Sequence, residues 1–178
     1  MITVLFTQKN SIYQKFNTDN WDIEKDATKW PGGNTIIAHP PCRAWGNYRN
    51  KAKPRPKEKE LAIWAINQIR INNGILEHPS RSKLWETMNL PIPGQRQDHY
   101  GGYSISIDQH WFGHRAKKNT WLYIKGIPIN KLPLIPISLN AILTTVEKMG
   151  KKEREATPIK FAEWLIKTAT LIELNKPP

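Results

Sequence analysis

Short apolar runs rich in β-branched residues alternate with polar stretches through the first half of the chain. The first, residues 2–7 (ITVLFT), predicts a buried strand. Residues 11–16 (SIYQKF) predict the start of a helix, and residues 21–23 a second short strand. The turn WPGGN follows, where Pro31, Gly32 and Gly33 break regular structure. Residues 35–38 (TIIA) predict a third strand, stopped by Pro40 and Pro41, which have no amide hydrogen for a ladder.

The spacing then changes to that of a helix. In PKEKELAIWAINQIRINNG, Leu61, Trp64, Ala65 and Ile69 recur three and four residues apart, with Pro56 near the start and Asn73 and Gly74 near the end. GILE (74–77) predicts the next strand, so strand, helix and strand form a crossover unit, for which parallel pairing is the default. Residues 80–102 are irregular. YSISIDQ and NTWLYIKG predict two further strands joined by the basic connection GHRAKK. IPINKLPLIPIS has too many prolines for an interior element and predicts a surface path, within a proline-rich and basic connection over 127–155. A final helix is predicted over 156–174, with Thr157 as cap, Pro158 in the first turn, and Phe161, Ala162, Leu165, Ile166 and Ala169 on one face. The last four residues, NKPP, predict a frayed end. Together these elements predict an α/β fold: one compact Rossmann-like domain over 1–178, its mostly parallel sheet flanked by helices.

Charge adds a partner to this picture. Twenty-seven Lys and Arg against fifteen Asp and Glu give a formal +12, which points to an anionic ligand, a nucleotide or a nucleic acid. The excess is concentrated in a basic loop over 43–57, RAWGNYRNKAKPRPK, which contains no acid. No run of about 18 apolar residues is present, so no membrane segment is expected. A single cysteine forms no internal bridge, and an intracellular, cytoplasmic protein is the default expectation. Nothing in the pattern decides against a homo-oligomer.

The candidate chemistry sits where strands end. Cys42 lies just past the third strand, in IIAHPPCRAWG, at the sheet edge where open α/β folds bind ligands. Trp45, Tyr48 and Trp111 interleave with Arg43, Arg49 and His110, a pattern suited to holding a base by stacking with its phosphate nearby. Trp64, Trp121 and Trp164 lie in apolar periodic runs and read as core. His39 and His78 each precede a proline and could cap turns; Glu77 could pair with Arg81 or Lys83. His114, beside Arg115, Lys117 and Lys118, is a candidate phosphate contact. The histidine spacing gives no metal site.

Three segments stand in order: HPPCRAWG, LEHPSRSKLW and DQHWFGHRAKKNTWLYIKG. In order and spacing they resemble small phage-encoded proteins related to cytosine carbon-5 DNA methyltransferases. That group carries a Pro-Pro-Cys nucleophile loop, a Glu-Asn-Pro or Glu-Asn-Val acid segment, and Gln-x-x-Phe-Gly-His before a strand. The likeness spans roughly residues 2–136. It implies a phage or prophage protein working in a bacterial host. It also implies Cys42 as a thiolate adding to carbon 6 of a pyrimidine, with its pKa lowered by Arg43, and Glu77 contacting ring nitrogen 3 and the exocyclic amine. His78 joins the catalytic set by the same comparison. His39, Arg43, Trp45, Tyr48, Arg49, Arg81, Gln109, Trp111, His114 and Lys118 become the substrate-binding set. S-adenosylmethionine would be the methyl donor, held by Thr7, Gln8, Asn10 and Asp22.

The chain departs from that group after the first strand, where FTQKNSIY holds no glycine for close approach of the cofactor. Two functions of different class follow. One is a methyltransferase-like enzyme modifying a pyrimidine base or nucleotide. The other is a phage protein that binds or cleaves a nucleotide, capturing or destroying a host defence signal, with His39, His78 and His114 as acid or base candidates.

Overall fold

The first strand, β1 (Ile2–Leu5), is buried along its whole length because it has neighbours on both edges and helices over both faces. The computed structural model describes residues 1–138, 142 and 144–177. The remaining strands are β2 (Thr18–Trp21), β3 (Ile36–Ala38), β4 (Gly74–Pro79), β5 (Tyr103–Asp108) and β6 (Asn119–Lys125). Four helices accompany them: α1 (Glu58–Asn72), α2 (Leu84–Thr87), α3 (Lys151–Glu155) and α4 (Ile159–Leu174).

The six strands form one mixed sheet in the order β2-β1-β3-β4-β6-β5. β1 pairs in parallel with β2 and β3, and β3 in parallel with β4, as the crossover through α1 predicts. β6 runs antiparallel to both β4 and β5 and is the one reversed strand. The connection from β5 to β6 is a short 3-10 turn (Gln109–Phe112) and loop, too short to return the chain for parallel pairing.

Alternation along the strands feeds two cores. Val4, Ile37, Ile75 and Leu122 face α4, which buries Phe161, Ala162, Trp164, Leu165, Ala169 and Ile172 against them. Leu5, Ile36, Ala38 and Leu76 face α1, which contributes Ala62, Ala65, Ile66 and Ile69. The step from α1 into β4 requires glycine. Gly74 has φ 144, and a Cβ there would run into the Ile36 carbonyl of the neighbouring strand.

Several expectations are corrected. The second strand is 18–21 rather than 21–23, because the register with β1 draws the polar TDNW into the ladder. The segment after Ser11 is a 3-10 turn (Ile12–Lys15), and Leu61 and Trp64 are only half-buried on α1. Pro158, not Thr157, caps α4, with no side-chain capping bond. The tail is not frayed at Lys176, whose Nζ reaches Glu173 at 2.8 Å and the Gly33 carbonyl at 3.1 Å. Pro178 of that tail, and residues 139–141 and 143 of the proline-rich connection, lie outside the described residues. Leu134 and Ile137 of the connection are exposed, as a surface path requires. Among the described residues no helix is long and apolar enough to cross a membrane.

Candidate active site

β1 has β2 on one side and β3 on the other, so the chain's path reverses direction between β1 and β3. Open α/β sheets bind ligands at the carboxyl ends of the strands beside such a reversal. There His39 leaves β3, its amide still bonded to the Leu5 carbonyl at 3.1 Å, and the two prolines then end the ladder. Glu77 projects from within β4, which runs two residues past the expected end at 77, on the α4 side of the sheet.

Glu77 is bound from two directions. His39 Nδ1 lies 3.2 Å from Oε2, and Gln109 Nε2 donates to Oε1 at 3.1 Å and to Thr120 Oγ1 at 2.9 Å. Burial alone would raise this carboxyl. The hydrogen bond and electrostatic pull of His39, joined by the charge of Lys118, outweigh it and hold the pKa at about 2. An ionised carboxylate only accepts, so His39 Nδ1 carries the hydrogen. On the other side of the ring, Nε2 lies 2.8 Å from the Tyr13 hydroxyl, within hydrogen-bond distance. Tyr13 keeps its proton, because burial and then the Glu77 charge push its pKa well above the ordinary value. Both nitrogens of His39 are thus committed, and the residue positions Glu77.

Cys42 is exposed at the foot of the basic loop. Its carbonyl accepts the amides of Trp45 at 3.0 Å and Gly46 at 2.8 Å, which folds the loop back over it. Desolvation by its surroundings and the Glu77 carboxylate raise the thiol's pKa, while Lys118 opposes them. The same cation therefore acts on Cys42 and Glu77. The expected lowering by Arg43 is corrected: its Nε is held by the buried Glu58 carboxylate at 2.6 Å.

Thus His39 and Gln109 meet Glu77 directly, while Cys42 and Lys118 are linked to it through their electrostatic influence. Other candidates do not join them. His78 follows Glu77 in β4 and so faces the α1 side; it is fully buried, and among the described residues neither ring nitrogen has a hydrogen-bond partner. Desolvation lowers its pKa to about 4 although Glu77 pulls the other way, so it is neutral and is no surface acid or base. Trp45 is 2% exposed, packs against α1 and donates Nε1 to the Lys59 carbonyl, which removes it as a stacking platform. His114 is buried and bonded through Nδ1 to the Ala116 carbonyl, and desolvation lowers its pKa, which removes the phosphate-binding cation. Trp111 is half-buried against the α4 core. Tyr48 is exposed, and Arg49 bonds the Gly46 carbonyl at 3.3 Å. Arg81 is exposed beyond β4 and pairs with no carboxylate among the described residues; Lys83 pairs with Glu86, not Glu77.

Tyr13 and Thr120 support the site but were not among the expected residues. Nothing in SIYQKF marks Tyr13, since only the adjacency of β1 and β3 brings it to His39.

The turn after β1 does not fit S-adenosylmethionine. Phe6 holds the left-handed φ of 63, where close approach of a cofactor calls for glycine, and its ring packs edge-on against Trp64 at 6.0 Å. The Thr7 amide is donated to the Trp21 carbonyl, and Asp22 Oδ1 accepts the amides of Glu24 and Lys25. Gln8 and Asn10 are exposed. No protein-family model matches this chain, and no curated protein is detectably similar to it.

Proposed function

We propose that this rim binds a pyrimidine base or nucleotide and adds the Cys42 thiol to carbon 6 of the ring. One observation carries the reading. Cys42, exposed just past β3, and an ionised Glu77, fixed by His39 and Gln109 on the neighbouring parallel strand β4, stand toward the carboxyl ends of adjacent strands, and the Glu77 charge raises the thiol's pKa. The order β2-β1-β3-β4, with the rim beside its reversal, supports the Rossmann-like reading of the fold.

The two carboxylate oxygens sit with the buried Gln109 Oε1, which has no partner among the described residues. This acceptor-rich end suits the exocyclic amine of cytosine. Donation from that amine would also offset the negative charge that keeps the thiol protonated, so binding itself would favour the thiolate. The sulfur then bonds to carbon 6, and electron density moves to carbon 5. In the absence of a methyl donor, carbon 5 takes a proton from water. Loss of the original carbon-5 proton and expulsion of the thiolate restore the ring, so the net change is exchange of one hydrogen with solvent.

Incubating dCMP, dUMP and a cytosine-containing single-stranded oligonucleotide in D2O, followed by mass spectrometry, tests this reading. The expected result is deuterium at carbon 5 with the wild-type protein and none above buffer with Cys42→Ser. Exchange that is equal in Cys42→Ser, or absent with the wild type, overturns it. A second reading, capture of a nucleotide without covalent chemistry, is favoured by the raised thiol pKa and the closed turn at Phe6. Binding of dCMP by calorimetry without exchange is its signature.

A further inference from the structure

A groove of about 700 Å³ opens beyond the carboxyl end of β4, between the turn that starts at Ser80 and the loop around Gln95. Trp121 lines it. Trp121 pairs with His78 in the ladder and so faces the α1 side of the sheet, away from Glu77. We propose that this groove is a second binding subsite, which takes a nucleobase together with its phosphate. This goes beyond the reaction at Cys42 and does not depend on it.

Three features favour that ligand. The first is an aromatic platform: Trp121 is half-buried and backed by Trp85, with ring centroids 5.4 Å apart, and Trp85 is fixed by donating Nε1 to the Pro79 carbonyl. A flat base stacks on such a surface whatever its identity. The second is uncommitted charge. Arg81 and Arg96 line the groove and are exposed, and among the described residues neither side chain has an ion pair or hydrogen bond. Four arginines elsewhere are engaged: Arg43 with Glu58, Arg49 with the Gly46 carbonyl, Arg70 with the Met88 carbonyl and Arg115 with Glu153; Arg55 and Arg154 are unpaired among the described residues but do not line the groove. Two free guanidinium forks beside a tryptophan match a phosphate attached to a stacked ring. The third is an edge reader: Asn89 and Gln95 also line the groove, Asn89 with amide donors and an acceptor, Gln95 with its Nε2 donors, since its Oε1 accepts the Ile92 amide at 3.1 Å.

The far wall is built in advance. Asp98 Oδ1 accepts the amides of Tyr100 and Gly102, its Oδ2 accepts the Tyr123 hydroxyl, and Arg70 stacks beneath Tyr100 at 4.2 Å. The wall at Asp98 therefore needs no ordering on binding, and the ordering cost falls on the two arginine side chains. The volume lies within the range of ordinary small-molecule sites, about 300–1,000 Å³.

The phosphate-bearing base could come from a free nucleotide or from a residue of a single strand, and one experiment separates them. Anisotropy of a fluorescein-labelled single-stranded oligothymidine is measured in ordinary buffer across a salt series. AMP, CMP and polyglutamate serve as competitors. The double variant Arg81→Ala with Arg96→Ala should weaken binding at least about tenfold and reduce the log–log salt slope by about 1.4, as expected when two phosphate contacts to a single strand are lost. Trp121→Phe, which keeps an apolar ring in place, should weaken binding about threefold with the salt slope unchanged. Mononucleotides that compete as well as the strand, nucleotide for nucleotide, identify the free nucleotide as the ligand; competition only by the strand identifies single-stranded nucleic acid. Three results overturn the proposal: equal affinity in the double arginine variant, competition by polyglutamate as strong as by the strand, or no wild-type binding to any probe. The readout involves no exchange at carbon 5, so it fails or succeeds separately from the chemistry at Cys42.

Discussion

Glu77 and His78 are consecutive residues of β4 that point to opposite faces of one sheet, and the two faces treat them differently. Glu77 keeps its charge because His39 and Gln109 meet both oxygens. His78 loses its charge because burial removes water and, among the described residues, supplies no partner to either nitrogen. Depth below the surface does not separate a charged group from a neutral one here. Partners for the charged form do.

The sharpest way to break this comparison is Glu77→Leu. It leaves the His39 and Gln109 donors facing an apolar side chain, and stability in urea at neutral pH should fall by about 3 kcal/mol. An equal loss in a His78→Leu variant would erase the difference between the faces.

Acid separates the two residues by window. His78 has its ordinary pKa at 6.5 and about 4 in the fold, so the unfolded chain takes the proton first; stability falls as pH drops from about 6.5 to 4. Glu77 has 4.5 ordinarily and about 2 in the fold, so its contribution is complete above about 4.5 and is lost as pH falls toward 2. Each shift corresponds to on the order of 3 kcal/mol across its window. Urea melts stepped through pH should show two successive losses, and His78→Leu should remove the upper one.

At neutral pH the same His78→Leu change replaces an unpaired buried imidazole with an apolar group. Denaturant midpoints should show a gain of about 1–2 kcal/mol. A clear loss of stability there would mean that the His78 nitrogens are satisfied in solution. The smallest effect belongs to Tyr13→Phe. It removes one hydrogen bond to His39 and should cost about 1 kcal/mol, with exchange at carbon 5 slowed but not abolished. No change in either measurement would detach Tyr13 from the Glu77 site.

Much of this was legible from pattern. The runs 35–38 and 74–77 and the helical spacing between them are local signals, and each produced its element with the parallel pairing expected. Placing Cys42 past the end of β3 needed only the prolines that follow the run, whereas β4 continues two residues beyond Glu77, because β6 supplies ladder partners for His78 and Pro79. The misreadings share a cause. Trp45 lies among cations in the sequence, yet α1 folds over it and buries it. Residues 18–21 have the polar character of a loop, yet β1 supplies a ladder for them. In both places a distant element overrode the local pattern. The reversed β6 belongs with these, since its place between β4 and β5 depends on which edge was open when the chain returned.

The sequence by itself determined where β3 ends and which of two neighbours points to which face, because prolines end a ladder and a strand's period of two is a property of the backbone. Only the tertiary structure decided what each residue meets there. His39 lies 38 positions from Glu77, and Gln109 lies 32 positions beyond it. They converge because burying α1 and α4 on opposite faces selects one strand order, and the order of strands selects the neighbours of every side chain at the rim.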